Sequence, residues 1–239
     1  NQLGIGYDSD EGIEIIEKVS NFILNKCYEA SSELAGEKGS ISIWDYEKYS
    51  EGLFFKERLD EDVKEKIRKN GLRNVALTSI APTGTISNAV LGFKDGGKNY
   101  IGVSGGIEPV FALYYTRRSE QMNEGAFYKV FHSTVQAYID KMGLQDKVKE
   151  VNNVEELRKV LPDYFFRTSH FIKPENRVKI QSVCQKNIDH SISSTVNLKE
   201  SIEPEKISDI YIDAWKNKLK GITIYRDGSR FPILSIEQE

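Results

Sequence analysis

The sequence has 239 residues, of which 39% are hydrophobic and 29% charged, and its formal net charge is −3. That balance fits a globular protein of one large or two small domains and excludes a strongly basic nucleic-acid-binding protein. No apolar run reaches the length of about 18 residues that a transmembrane helix needs, and the first residues do not resemble a signal peptide. We therefore expect a cytoplasmic protein with neither nucleic acid nor membrane as a partner.

The two cysteines and three histidines are isolated from one another in the sequence. They form no zinc pattern, so we expect no metal site, and such sparse cysteines are typical of a reducing compartment. Cys27 and Cys184 each lie among the apolar residues of a predicted helix. Packing in the core is the expected role of both thiols, and a redox role for Cys27 is the alternative.

The first seventy residues predict two helices separated by an aromatic loop. Acidic residues at positions 8–11 favour a helix start, and apolar residues at helical spacing extend that helix to about residue 36. The apolar stripe consists of Ile15, Ile16, Val19, Phe22, Ile23, Cys27, Ala30 and Leu34. Residues 40–58 are rich in aromatic side chains and predict an irregular packed loop. A short charged helix over residues 60–70 then ends at Gly71.

An apolar run followed by small residues lies between positions 74 and 87. Its first half, from Val75 to Ile80, predicts a buried strand. Its second half predicts a tight turn into a helix, because Pro82 fixes its own φ and Gly84 permits close backbone approach. The hydroxyl side chains that can cap this helix are those of Thr83, Thr85 and Ser87.

A strand, a small-residue turn and a helix start together form a favourable site for an anion. Free backbone N–H groups and the helix dipole point at the same place in such a connection. No lysine follows the turn as it does in a Walker loop. Two interpretations therefore stay open from the pattern, a phosphate-binding turn and an ordinary capped connection between a strand and a helix.

Two further turns follow. Asp95, Gly96 and Gly97 form a strong turn signal, so we expect an exposed loop or hairpin between Leu91 and Tyr100. Residues 102–109 contain three glycines and predict a second small-residue turn. These glycines either let the backbone approach a ligand or serve the geometry of the turn alone.

The remaining sequence alternates helices with strands. Helices are predicted over residues 123–142, 153–160, 174–190 and 203–218, and Pro174 lies in the first turn of the third. The apolar face of the first helix consists of Phe127, Val130, Phe131, Val135 and Tyr138, and His132 is expected to be a surface residue or a hydrogen-bonded residue of the helix. Strands are predicted at Ser194–Leu198 and Gly221–Tyr225. This alternation indicates an α/β architecture with parallel strands.

Three stretches together resemble the large catalytic chain of ribonucleotide reductase, and they are most similar to its adenosylcobalamin-dependent class. These stretches are ALTSIAPTGTIS at 76–87, VSGGIEPVF at 103–111 and LKGITIYRDGSR at 219–230. Supporting matches are LGIGYDS at 3–9, YTRR at 115–118 and QKNIDHSISSTVNL at 185–198. The matches follow the order of the family over nearly the whole chain.

The resemblance implies a fold and a site. Residues 1–239 are expected to form a single partial domain, the C-terminal portion of the family's ten-stranded α/β barrel, with helices alternating with buried strands. The family binds substrate phosphates at the turn that corresponds here to Pro82, Thr83, Gly84, Thr85, Ile86 and Ser87. Further residues expected to line the site are Ser104, Gly105, Gly106, Glu108 and Tyr225. No catalytic residue is expected, because Cys27 and Cys184 match none of the family's radical or redox cysteines.

The resemblance also implies a reaction and its partners. The family converts ribonucleotides to 2′-deoxyribonucleotides by radical chemistry. The implied partners are a ribonucleoside di- or triphosphate, the remaining barrel segment that carries the radical and redox cysteines, and a thioredoxin-type reductant. The implied cofactor is adenosylcobalamin, held mainly by the complete enzyme. As a fragment or one chain of a split enzyme, this polypeptide is not expected to be active alone.

Two departures from the family pattern bear on this interpretation. The segment between Leu91 and Gly102 is longer than usual and lies between two site-forming turns. The strand at 222–225 carries one tyrosine, whereas the oxygen-dependent class has two adjacent tyrosines there, which favours the cobalamin class. The alternatives are an oxygen-dependent reductase large chain and a non-catalytic nucleotide-binding subunit of a split reductase.

Overall fold

The computed structural model describes residues 1–103, 105–118 and 127–229. Its helices are α1 (Asp10–Lys38), α2 (Tyr46–Ser50), α3 (Leu53–Arg58), α4 (Glu61–Asn70), α5 (Ser133–Met142), α6 (Gln145–Lys149), α7 (Val154–Leu157), α8 (Pro174–Gln185) and α9 (Pro204–Lys216). Its strands are β1 (Leu91–Asp95), β2 (Lys98–Ile101), β3 (Tyr114–Arg118), β4 (Phe127–Phe131), β5 (Thr195–Leu198) and β6 (Thr223–Arg226). Short 3₁₀ helices span Ile86–Asn88 and Asp163–Phe166. This mixture confirms the predicted α/β class. Over these ranges no helix is both long and apolar enough to cross a membrane.

Helix α1 has the predicted length but buries an unexpected face. Ser9 caps its start by accepting a hydrogen bond from the Gly12 N–H at 3.0 Å. Leu24 and Tyr28 pack in one core with residues of α4, and Ile13 packs in another with residues of α8. The buried residues of the helix are Gly12, Ile13, Leu24, Asn25, Tyr28, Ser31, Ser32 and Ala35. The predicted apolar stripe is wrong as the core face at Val19, Phe22 and Ile23, which are exposed, although Ile16 of the same stripe packs against the core. Small serine and alanine side chains on the buried face let neighbouring helices approach closely, which apolar periodicity alone does not reveal.

The aromatic segment at residues 40–58 is packed as predicted, and its backbone is irregular at 40–45 but forms two short helices, α2 and α3, after that. Asp45 caps α2 by accepting a hydrogen bond from the Lys48 N–H at 3.2 Å. The Tyr46 and Phe55 rings meet edge to face, with centroids 6.1 Å apart. These contacts join α2 and α3 to the core of α1 and α4. The predicted helix at 60–70 is confirmed as α4, and Gly71 follows it with a φ of 76°.

The middle of the chain forms two antiparallel hairpins. Strands β1 and β2 pair around Gly96 and Gly97, which confirms the predicted hairpin. Strands β3 and β4 pair from Tyr114 opposite Phe131 to residue 118 opposite 127. The predicted helix at 123–142 is therefore wrong at 127–131, where aromatic and branched side chains suit a strand, and its residues 123–126 lie outside the described ranges. His132 caps α5, accepting a hydrogen bond from the Thr134 N–H.

The last third of the described chain follows the prediction closely. Strands β5 and β6 are parallel, with Thr195 opposite Thr223. Helices α8 and α9 pack beside them around a core of Val178, Val196, Leu198, Ile210 and Ala214. Pro174 is the first residue of α8, as predicted. That helix ends at Gln185 rather than 190, and α7 is shorter than the predicted helix at 153–160.

The segment at 75–80 is not the buried strand that its composition predicts. Val75 is 73% exposed, and the only ladder contact of the described segment is an isolated parallel bridge between Ile80 and Ile192. Its backbone is extended along the loop after α8, where the His190 N–H donates to Thr78 O at 3.0 Å and the Ser193 N–H donates to Ile80 O at 2.8 Å. The segment thus satisfies its backbone polar groups with a loop instead of a neighbouring strand.

Candidate functional site

The turn from Pro82 to Ser87 is tightly folded. Thr83 has a φ of 47°, a left-handed conformation that is uncommon for a β-branched residue. Its carbonyl accepts a hydrogen bond from the Ser87 N–H at 3.0 Å, and Gly84 O accepts from the Ser87 hydroxyl at 3.2 Å. The prediction of a capped helix after the turn is wrong. The chain forms a single 3₁₀ turn at Ile86–Asn88, and no side chain caps it.

The outer side of this turn presents backbone N–H groups to the solvent. Pro82, Gly84, Thr85 and Ile86 are exposed, whereas Ser87 is buried. Within the described ranges, the N–H groups of residues 84–86 donate to no protein acceptor. A Cβ atom added at Gly84 would meet no atom within 4 Å. The turn therefore combines free donors with open space, as an anion site requires.

The second turn packs directly against the first. The Gly106 N–H donates to the Thr83 hydroxyl at 3.0 Å. A Cβ atom on Gly105 would lie 2.8 Å from Pro82 O, and one on Gly106 would lie 2.7 Å from Ala81 O. Glycine is thus needed at both positions for the two turns to touch. Ser104, predicted to line the site, lies outside the described residues.

Glu108 holds the second turn against α8 and β5. Its carboxylate pairs with the guanidinium of Arg177, whose side chain is 2% exposed, and accepts a hydrogen bond from the Thr195 N–H at 2.6 Å. Burial raises the pKa of Glu108, although Arg177 and the Thr195 N–H both act to lower it. The Ile107 carbonyl accepts from Arg177 Nη1 at 3.2 Å and from the Tyr7 hydroxyl at 2.5 Å. Glu108 is therefore an anchoring residue in this structure, and its part in lining the site stays a prediction.

Tyr225 lies on β6, opposite Asn197 of β5. Its side chain is half-buried. No hydrogen bond between the described residues joins it to either turn, so its part in the site also stays a prediction.

Asp189 is the residue that fixes the approach to the first turn, and the sequence pattern did not single it out. Its carboxylate accepts from the Leu77 N–H at 2.8 Å, from the Thr78 N–H at 2.8 Å and from the Thr78 hydroxyl at 3.0 Å. The Tyr28 hydroxyl of α1 donates to the same carboxylate at 2.9 Å. Burial acts to raise the pKa of Asp189, but these donors outweigh it and lower that pKa. The available signal was its place within the family-like stretch at 185–198.

The two thiols lie in different environments. Cys184 is buried as predicted, and burial raises its pKa to about 11, so it is a poor nucleophile at neutral pH. Cys27 is only partly buried, so the prediction of a core position for it is wrong. Both are free thiols, and no group of three or more His, Cys, Asp or Glu residues in the described ranges is arranged to hold a metal ion.

The fold and the paired turns define an α/β protein with a candidate anion site. The family model for the ribonucleotide reductase barrel domain matches residues 1–225. The chain therefore belongs to the ribonucleotide reductase barrel-domain family.

Relatives of known function carry reductase names. The vitamin B12-dependent ribonucleoside-diphosphate reductase of Thermoplasma acidophilum is 32% identical over 239 residues, covering 96% of this chain and 27% of the relative. The protein of the same name from Mycobacterium tuberculosis is 28% identical over 242 residues, covering 95% of this chain and 29% of the relative. The chain thus spans less than a third of the length of these relatives.

A solved structure shows the same fold. The class Id ribonucleotide reductase α subunit of Actinobacillus ureae matches with a TM-score of 0.61 at 20% sequence identity. The match covers 94% of this chain and 36% of that subunit. At this identity the likeness supports the barrel fold alone.

Proposed function

We propose that this chain supplies the substrate phosphate-binding turn of a ribonucleotide reductase, which converts ribonucleotides to 2′-deoxyribonucleotides. The relatives' names suggest a ribonucleoside diphosphate as the substrate. The observation that carries the proposal is the contact between the two turns, in which the Gly106 N–H binds the Thr83 hydroxyl. That contact leaves the free N–H groups of residues 84–86 on one open surface.

The turn suits a phosphate for physical reasons. Successive backbone N–H groups can bind one anion together. They do so without a buried cation, whose desolvation would be costly. The exposed hydroxyl of Thr85 can donate to the same phosphate oxygens. The short 3₁₀ turn at Ile86–Asn88 contributes little macrodipole, so we assign the binding to local N–H donors rather than to a helix. Pro82, Thr83, Gly84, Thr85, Ile86 and Ser87 are the proposed phosphate-binding residues.

The relatives' names and the single tyrosine at 225 favour adenosylcobalamin as the cofactor of the whole enzyme. The two best-defined cavities of the described chain measure about 350 and 190 Å³. Neither cavity is lined by residues of the phosphate turn, so we assign no residue of this chain to the cofactor. We derive no step of the reaction through it.

The remaining assignments follow from the same proposal. Residues 1–239 would form one partial barrel domain, and Ser104, Gly105, Gly106, Glu108 and Tyr225 would line the substrate site. Another barrel segment would bring the radical and redox cysteines, and a thioredoxin-type protein would supply electrons in the cytoplasm.

A glycine substitution tests the phosphate turn. Gly84→Leu adds a side chain to open space and should leave the fold intact, but this side chain would occupy the position of the phosphate. We expect the dissociation constant of CDP in the native protein to rise at least about tenfold. Gly221→Leu is the matched control, because a Cβ atom at Gly221 also meets nothing within 4 Å.

Calorimetric titration with CDP distinguishes the outcomes. Weaker binding of Gly84→Leu alone, at an unchanged melting temperature, supports the phosphate turn. An unchanged affinity for CDP in both variants would contradict the assignment of residues 82–87 as the phosphate-binding turn.

A further inference from the structure

The hairpin of β1 and β2 extends as a paired ribbon into the candidate site. Its register starts at the tip with Asp95 opposite Lys98 and reaches Leu91 opposite Ile101. Three hydrogen bonds continue the pairing beyond the strands: Gly102 N–H to Val90 O at 2.8 Å, Val103 N–H to Ser87 O at 2.8 Å, and Gly106 N–H to Thr83 Oγ1 at 3.0 Å. The two turns are therefore the open end of one antiparallel ribbon, and the ribbon sets their separation.

Asp140 of α5 fixes the far end of this ribbon. One oxygen of its carboxylate accepts from the Tyr100 hydroxyl at 2.9 Å and from Lys98 Nζ at 3.0 Å. The other oxygen accepts from Gln136 at 3.0 Å and from Gln145 at 3.2 Å. The Tyr100 ring is buried and stacks on Phe93 at 5.0 Å. Both oxygens are thus engaged, and only 15% of the Asp140 side chain is exposed.

Helix α5 holds the base of the ribbon as well. The Ser133 hydroxyl, in the first turn of the helix, donates to Gly102 O at 3.0 Å. Gly102 adjoins Val103, whose N–H is bonded to Ser87 of the phosphate turn. Helix α5 therefore contacts the ribbon at two places: Asp140 binds Lys98 and Tyr100 of β2, and Ser133 binds Gly102 beside the site.

We propose that Asp140 is a positioning residue for the phosphate turn, acting through the β1–β2 ribbon. This inference rests on the proposed function. By fixing the ribbon on α5, Asp140 holds Thr83 and Ser87, the two residues that flank the free N–H groups of residues 84–86. Loss of the Asp140 carboxylate would let the phosphate turn shift, without removing any group that touches the ligand.

Asp140→Asn tests this role in the native protein. An asparagine keeps the shape but has one acceptor oxygen, so it cannot serve both pairs of donors. We expect the dissociation constant of CDP to rise about fivefold, and that of cytidine, which has no phosphate, to stay unchanged. Asp146→Asn is the control, because it makes the same charge change at an exposed ion pair with Lys149.

A double-mutant cycle separates positioning from general stability. Thr83→Val removes one of the two hydrogen bonds by which the ribbon holds the phosphate turn, so the loss of CDP affinity on adding Asp140→Asn to it should be smaller than in the unmodified protein. A full additional loss in the double variant would overturn the inference, as would equal losses for CDP and cytidine. CDP affinity of Asp140→Asn equal to that of Asp146→Asn would also overturn it. If Gly84→Leu still weakens CDP binding in that case, the proposed function stands without the inference.

Discussion

The hydroxyl of Thr83 accepts a hydrogen bond at 3.0 Å from the backbone N–H of Gly106, 23 residues further along the chain. This bond joins a turn with free N–H donors to a turn whose glycines allow the contact. Thr83 reaches it in a left-handed conformation with a φ of 47°. A strained residue held by one specific bond is typical of a functional site.

Removing that bond should weaken nucleotide binding. Thr83→Val keeps the branched shape but has no acceptor for the Gly106 N–H. Loss of this hydrogen bond costs about 1 kcal/mol, so we expect CDP to bind roughly fivefold more weakly. Thr83→Ser keeps the hydroxyl and serves as the control. Titration calorimetry on both variants checks the prediction, and equal affinities in the two would show that the hydroxyl has no part in the site.

The sequence predicted the elements whose signals are local. Asp95, Gly96 and Gly97 specify a hairpin by turn chemistry alone, and Pro174 marks the start of α8 by its fixed φ. The parallel pair β5–β6 follows from the strand–helix–strand order, because such a connection places the second strand beside the first. In each case the determining residues lie within the element or immediately beside it.

The parts that the sequence did not predict depend on distant partners. The run from Val75 to Ile80 has the composition of a buried strand, yet its backbone polar groups form hydrogen bonds with the loop after α8 and with Asp189. Asp189 lies 111 residues from Thr78 in the sequence. Glu108 likewise meets Thr195 at a separation of 87 residues. A single sequence carries no signal for such pairs. The resemblance marked the two turns as the site, but not the carboxylates that hold them in place.

Asp189 should make the stability of the protein depend on acidic pH. Its folded pKa lies below the ordinary value of 3.8, so its contribution is present above that value and is lost as the pH falls through the folded pKa. Asp189→Asn should destabilise the fold by about 2 kcal/mol at neutral pH, because charged acceptors form the stronger hydrogen bonds. Urea unfolding between neutral pH and pH 3 should show the two proteins converging as the pH falls. A constant difference over that range would contradict the role given to the carboxylate.

The ion pair of Arg177 and Glu108 should contribute far more than an exposed pair on the same helix. Arg177→Met leaves the Glu108 carboxylate half-buried without its cation, which costs about 3–5 kcal/mol. Lys179→Met, the control, breaks an exposed pair with Asp10 that is worth at most about 1 kcal/mol.

The pH dependence of that loss identifies its cause. Burial already raises the pKa of Glu108 above its ordinary value of 4.5, and removing Arg177 raises it further. A raised folded pKa favours the folded state at low pH, where Glu108 is protonated, and penalises it as the pH rises through the folded pKa. The deficit of Arg177→Met, measured by urea unfolding, should therefore be smallest under acidic conditions and grow toward neutral pH. A deficit independent of pH would mean that the guanidinium acts through its packing and its bonds to Ile107 and Ser194, rather than through the charge of Glu108.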